Sequence, residues 1–92
     1  MGTFHHDRGE LHGITVVVTT PDGRKVRIGR CHEERPDGML MLDVAEHEEG
    51  TGGKTIAEVV EAAARLGHWP QHKRLVVPSA EIGQVQRLGE LR

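Results

Sequence analysis

Residues 75–88 read Leu-Val-Val-Pro-Ser-Ala-Glu-Ile-Gly-Gln-Val-Gln-Arg-Leu, an apolar run that is interrupted and then resumes more weakly. Pro78 interrupts the run because proline has no backbone N–H to donate to a strand ladder. The pattern predicts two short strands joined by one tight turn. Such a pair, late in a small strand-rich chain, predicts that the sheet closes into a barrel.

Three more strands are predicted upstream of this pair. Residues 12–20 are rich in β-branched side chains, which suit a pleated sheet, and residues 25–31 alternate apolar with basic side chains. Residues 39–45 are apolar almost throughout, which indicates burial on both faces. Turns at 21–23 and 33–38, each ending in Pro-Asp-Gly, connect the three strands into a meander.

The alternation within the second strand predicts where its side chains point. Val26 and Ile28 are expected to face the core, whereas Lys25 and Arg27 are expected to face water. Gly29 removes a side chain in mid-strand, which indicates a bend or bulge that helps a sheet to curl.

One helix is predicted between the third and fourth strands, after a flexible acidic loop at residues 46–53. Thr55 and Glu58 have the spacing of a capping box, and apolar residues follow at helical intervals. Gly67 is expected to end the helix in the left-handed conformation. The predicted fold class is therefore mainly β with one helix, in a small five-stranded barrel.

The 92 residues are enough for one domain, predicted at 12–92 after a flexible N-terminal arm at 1–11. Only 36% of the residues are hydrophobic and 2% aromatic, so the core is expected to be thin and self-association is expected to add burial. The formal net charge of −2 gives no global attraction to nucleic acid or to anionic membranes.

The single cysteine, Cys31, excludes an internal disulfide and fits a reducing compartment. We find neither the pattern of a signal peptide nor an apolar run of about 18 residues that could span a membrane. A cytoplasmic protein without a membrane partner is therefore expected.

Four basic residues fall in one seven-residue window of the second strand: Arg24, Lys25, Arg27 and Arg30. They form either a solvated strand face, a basic edge that pairs with an acidic region of another subunit, or a phosphate-contacting patch for RNA. Trp69 is the other candidate binding residue. It is expected to pack over the helix end, although an exposed tryptophan would mark a binding hot spot.

The seven histidines raise the question of a metal site, with His47, His68 and His72 as weak candidates. Structural zinc needs four cysteine or histidine ligands in close pairs, and Pro70 argues against a helical pair of His68 and His72. No metal and no cofactor are therefore predicted. A metal-responsive or pH-responsive protein that uses these histidines remains an alternative.

Two sequence patterns resemble parts of enzyme active sites, but neither predicts catalytic activity. Residues 52–55, Gly-Gly-Lys-Thr, look like the end of a phosphate-binding loop, but Glu48 occupies the position that requires its first glycine. Cys31 with His47 or His68 could form a nucleophile pair, but a buried structural cysteine is the commoner role for a strand cysteine. A non-enzymatic protein is expected.

Residues 77–85 resemble the strand–turn–strand closure of the Sm-like (Hfq-like) small barrels, with Ile82 and Val85 at its two apolar positions. The similarity extends over residues 14–88, and SH3-like barrels fit nearly as well. It implies an SH3-like or Sm-like barrel, with the helix inserted between strands 3 and 4, that forms rings by edge pairing.

The resemblance does not carry RNA-binding residues onto this chain. Bacterial members have a Lys-His pair in the closing turn, where this chain has Ser79 and Ala80. The family's helix precedes the first strand, whereas the predicted helix here follows the third.

The sequence thus predicts a non-enzymatic binding or assembly module that forms a homo-oligomer or binds a protein partner. The first alternative is an Sm-like RNA-binding protein, and the second is the metal-responsive or pH-responsive protein.

Overall fold

The computed structural model describes residues 11–91, which form one five-stranded antiparallel sheet and one α-helix. The strand order is β4-β3-β2-β1-β5, and helix α1 follows β3 in the chain. The elements are β1 Thr15–Thr19, β2 Lys25–Arg35, β3 Gly38–Glu48, α1 Ile56–Leu66, β4 His72–Pro78 and β5 Gln84–Arg87. The predicted fold class, mainly β with one helix between the third and fourth strands, is confirmed.

The predicted flexible arm comprises residues 1–11. Residues 1–10 lie outside the described residues, whereas Leu11 lies within them. Leu11 is half-buried, packs against the core and donates its backbone N–H to the Glu34 carboxylate at 3.2 Å.

Both faces of the sheet are buried. Val16 and Val18 belong to one apolar cluster, whereas Val17 between them belongs to a second cluster beneath α1. Successive strand side chains point to opposite sides, so three buried valines in a row mean that neither side of β1 faces water. Ala63 and Ala64 of α1 cover the second cluster.

The sheet curls around the first cluster but does not close. Leu75 of β4 and Val85 of β5 both pack against this cluster from opposite ends of the sheet. Within residues 11–91, however, no strand pairing joins β4 to β5, and only a short 3-10 turn at Ser79–Glu81 connects them. The predicted turn after Pro78 is present, but the barrel closure predicted from it is absent.

The bend predicted at Gly29 is confirmed as a bulge. The register of β2 against β3 shifts between Ile28 and Arg30, and Asp43 on the facing strand takes a left-handed φ of 54°. A Cβ atom on Gly29 would lie only 3.0 Å from the Leu42 carbonyl oxygen, so the strands approach closely because this residue has no side chain.

The β2–β3 hairpin is longer than the sequence predicts. Residues 33–35, predicted as part of a turn, belong to β2, and residues 46–48, predicted as part of a flexible loop, belong to β3. Polar residues favour a loop in a sequence pattern, but Glu34 is paired in register with Met39. β4 likewise begins at His72 and not at Leu75.

Helix α1 begins and ends where the sequence predicts. The Thr55 hydroxyl accepts a hydrogen bond from the Glu58 N–H at 3.1 Å, and the Glu58 carboxylate accepts one from the Thr55 N–H at 2.9 Å. Gly67 follows the helix and donates its N–H to the Ala63 carbonyl at 2.9 Å. Its φ of 88° is positive, but its ψ of 170° lies outside the left-handed helical region that the sequence predicts. No helix in the described part of the chain is long and apolar enough to span a membrane.

Candidate functional site

The four basic residues predicted as one patch are separated in the structure. Arg24 and Lys25 lie where the β1–β2 turn enters β2, whereas Arg30 lies beyond the bulge with its Nη2 3.5 Å from Asp43 Oδ2. Arg27 is only 8% exposed, so the expectation that it faces water is wrong. Arg24 and Lys25 are adjacent, and neither forms an ion pair among residues 11–91. They are therefore the two proposed RNA-contacting residues that still form a common basic site.

Arg27 is the centre of a charged cluster that we call the ionic clasp, formed by Arg27, Glu46, His72 and Glu81. Arg27 Nε donates to Glu46 Oε2 at 2.7 Å, and Arg27 Nη2 lies 2.8 Å from Glu81 Oε1. His72 Nε2 lies 2.8 Å from Glu46 Oε1. The clasp therefore joins β2, β3, β4 and the turn between β4 and β5.

The clasp favours the ionised forms of Glu46 and Arg27. The hydrogen bond from Arg27, followed by that from His72, holds the pKa of Glu46 below its ordinary value against the opposing effect of burial. Burial lowers the pKa of Arg27, but its hydrogen bonds to Glu46 and Glu81 outweigh burial and leave the pKa above its ordinary value. The ion pairs of Arg27 therefore stabilise the fold, and neither Glu46 nor Arg27 supplies a catalytic acid that titrates near neutral pH.

Trp69 is exposed, contrary to the prediction that it packs over the helix end. Its exposed fraction is 88%, and it lies in the connector between α1 and β4. Among residues 11–91 the other exposed large apolar residues are Leu66, at 80%, and Val76, at 49%. Exposed tryptophan is common at binding hot spots, so this region becomes the leading candidate for a functional surface.

The sequence segment that contains Trp69 lacks acidic residues, although Glu46 and Glu58 line the same cleft as Trp69. Residues 62–80 contain Arg65, Lys73 and Arg74 but none of the 14 aspartates and glutamates of the chain. We define the β4 surface by the exposed basic and large apolar side chains of β4, which are Lys73, Arg74 and Val76. The sequence interpretation missed this surface, although its signal was a run of 19 residues without a carboxylate.

The candidate metal-binding histidines are held by other partners. His47 and His68 line a cleft of about 370 Å³ between α1 and β3. His47 Nε2 lies 2.9 Å from the Lys54 carbonyl oxygen, and His68 Nε2 lies 2.8 Å from that of Asp43. A carbonyl can only accept, so Nε2 is the protonated nitrogen in both rings. His72 belongs to the ionic clasp, and the part of the chain at 11–91 contains no group of three potential ligands suited to a metal ion.

Cys31 is fully buried in the first apolar cluster. Burial, with a smaller contribution from the charge of Glu34, raises the pKa of the thiol to about 11. The thiolate is the nucleophilic form of cysteine, so the buried thiol of Cys31 is poorly suited to covalent catalysis at neutral pH.

The N-terminus of α1 is occupied by the chain's own carboxylate. The Ile56 N–H donates to Glu49 Oε1 at 2.9 Å, while the Glu58 N–H donates to the Thr55 hydroxyl. A phosphate at this helix end would need the same N–H groups and would meet the charge of Glu49. This geometry explains how Gly-Gly-Lys-Thr can precede a helix without forming a phosphate site.

Comparisons with protein families, with curated proteins and with solved structures gave no match to this chain. The fold and the site together describe a small mainly-β domain with two open sheet edges, of which β4 carries exposed basic and apolar side chains.

Proposed function

We propose that the protein is a non-enzymatic binding and assembly module that self-associates through the open edge of its sheet. The observation that carries the proposal is β4, a seven-residue edge strand with the half-exposed Val76 near its centre. Edge strands present unpaired backbone groups that can pair with another chain.

The register shows which backbone groups are free at this edge. The Ser79 N–H donates to the Asp37 carbonyl at 2.8 Å, in line with the antiparallel register of β4 on β3. Backbone groups point alternately toward and away from the paired strand, so those of Arg74 and Val76 point away from β3. Pro78 has the same parity, and its missing N–H is tolerated at an outward position.

The two open edges favour a particular kind of assembly. They belong to different strands, β4 and β5, so pairing of β4 in one copy with β5 in the next is heterologous. Such contacts form a ring if the rotation between copies closes. This arrangement and the short turn between β4 and β5 support the proposed likeness to ring-forming Sm-like barrels at the level of the fold.

Light scattering after size-exclusion chromatography, confirmed by native mass spectrometry, tests the proposal. The wild-type protein is expected to be oligomeric, and Val76→Lys is expected to shift it to a monomer by placing a charge at the centre of β4. Ala57→Lys, which adds the same charge on an exposed position of α1, is the matched control. A monomeric wild type, or an oligomer that Val76→Lys leaves intact, would contradict the proposal.

A further inference from the structure

We infer that the β4 surface accepts an extended acidic segment of another protein as an additional antiparallel strand. This inference rests on the proposed function in that both need an open β4 edge, but it names a different occupant. The partner would be acidic where it faces Lys73 and Arg74 and apolar where it faces Val76.

Charge is the first argument for this partner. Lys73 and Arg74 are exposed, and neither forms an ion pair with a carboxylate among residues 11–91. The whole chain carries a net charge of −2, yet residues 62–80 contribute three basic and no acidic residues. Lys73 and Arg74 thus place two exposed positive charges without an ion pair on β4, where an acidic partner would be attracted.

Backbone geometry is the second argument. The outward N–H and C=O groups of Arg74 and Val76 offer the pairing pattern that an incoming strand requires. Lys73 and Arg74 are adjacent in an extended strand, so they point to opposite faces and can contact acidic side chains on both sides of the added strand.

The apolar character of the strand is the third argument, and it favours a peptide over a nucleic acid. Val76 is the exposed aliphatic residue of β4, and Trp69, in the connector before β4, is the single tryptophan of the chain. Single-stranded nucleic acids are usually held on several aromatic side chains, whereas strand addition uses backbone bonds and pockets for aliphatic side chains.

A designed peptide gives the direct test. The probe is the acetylated and amidated heptapeptide Thr-Val-Val-Thr-Glu-Glu-Glu, which in the antiparallel orientation places valines opposite Val76 and Val77 and glutamates opposite Lys73 and Arg74. A second peptide replaces the three glutamates with lysines. Binding is followed by backbone amide chemical shifts, which should change most at Arg74 and Val76.

The full-length wild-type protein is expected to bind the glutamate peptide at least about tenfold more tightly than the lysine peptide, as two exposed ion pairs become two repulsions. The double variant K73E/R74E is expected to reverse this preference. R24E/K25E makes the same change in net charge at a distant turn and is expected to keep the wild-type preference. A glutamate peptide N-methylated at the residue opposite Val76 should bind more weakly, because it lacks one strand hydrogen bond.

Several results would overturn the inference. One is that the glutamate peptide does not bind at about 1 mM, and another is that the two peptides bind with equal affinity. The others are that the amide chemical shifts change mainly in the cleft beside α1, or that a uridine 12-mer binds more tightly than the peptide at this surface. If K73E/R74E did not fold, the N-methylated and lysine peptides would still test strand addition and charge preference on the wild-type protein. Because a second copy and the peptide compete for the same β4 edge, binding is measured on protein diluted until size-exclusion chromatography shows the monomer. A wild-type protein that is monomeric at every concentration and binds the peptide would refute self-association alone, whereas a monomer obtained by dilution that binds no peptide would refute this inference alone.

Discussion

Arg27 is the residue whose surroundings matter most for the stability of this fold. Its guanidinium is almost fully buried and contacts Glu46 and Glu81, whereas the side chains of these carboxylates remain 24% and 44% exposed. Arg27→Met is expected to lower the free energy of unfolding by about 2–4 kcal/mol, near the lower end for a broken buried ion pair, because water can reach both carboxylates. Urea denaturation followed by circular dichroism measures the loss.

Arg24→Met is the matched control, since Arg24 is exposed at the start of the same hairpin and is expected to change stability by less than about 0.5 kcal/mol. Equal effects of the two substitutions would mean that the ionic clasp contributes nothing to stability.

Cys31 offers a second test at the level of one side chain. Burial and a thiol pKa of about 11 leave little reactive thiolate in the folded protein. Its reaction with a thiol reagent such as 5,5′-dithiobis(2-nitrobenzoate) at pH 8 is expected to be at least about 100-fold slower in native protein than in urea-unfolded protein, since ionisation alone gives about that factor. Comparable rates in the two states would contradict the described environment of Cys31.

The solvent exposure of Arg27 and of Trp69 could not be predicted from the sequence. Strand alternation correctly places Arg27 opposite Val26 and Ile28, but it cannot say whether the opposite side of a sheet is wet. Here the sheet curls back on that side and encloses it. The exposure of Trp69 could not be predicted either, because it depends on where the connector lies after Gly67 and not on the residue type.

At the level of elements, α1 depends on a cap that the sequence already reveals. Thr55 and Glu58 satisfy each other's backbone N–H groups, and Thr55→Ala removes one of these bonds. The substitution is expected to cost about 1 kcal/mol of unfolding free energy, measured by urea denaturation.

Thr51→Ala provides the comparison, since Thr51 is exposed in the preceding 3-10 turn and is expected to change stability by less than about 0.5 kcal/mol. If Thr55→Ala were as mild as Thr51→Ala, the capping box would make no measurable contribution.

Elements with local signals were predictable, and those that depend on distant partners were not. The valine run of β1 predicts a strand, and the capping box of α1 predicts a helix start, each from residues close together in the sequence. The last three residues of β2 are polar and look like a turn, yet pairing with β3 and the contact between Glu34 and Leu11 keep them in the sheet. Barrel closure could not be inferred from the turn after Pro78, since it needs β4 and β5 to meet.

At the scale of the whole molecule, the ionic clasp holds the turn between β4 and β5 to the rest of the sheet. It connects this turn, through Glu81, to β2 and β3, and none of its four residues lies in β5. The sheet can therefore hold its curl while both edges stay available for partners. The same clasp makes the stability of the fold depend on pH.

The pH dependence has a definite sign. Hydrogen bonds from Arg27 and His72 depress the pKa of Glu46 in the folded protein relative to its ordinary value of 4.5. A depressed carboxyl pKa contributes stability that is present above the unfolded value and is lost as the pH falls through the folded value. Wild-type protein is therefore expected to lose unfolding free energy from about pH 5 downward, measured by urea denaturation at a series of pH values.

Glu46→Gln isolates the contribution of this carboxylate, because glutamine keeps the shape of the side chain but cannot titrate. The variant should be less stable than wild type at pH 7. The difference should shrink as the pH falls from 4.5 through the depressed pKa of folded Glu46, below which the wild-type carboxyl is also neutral. Glu61→Gln, on an exposed position of α1, should leave the wild-type pH curve unchanged in shape. A stability difference between wild type and Glu46→Gln that stayed constant from pH 7 to pH 3 would mean that the charge of Glu46 does not hold the open sheet together.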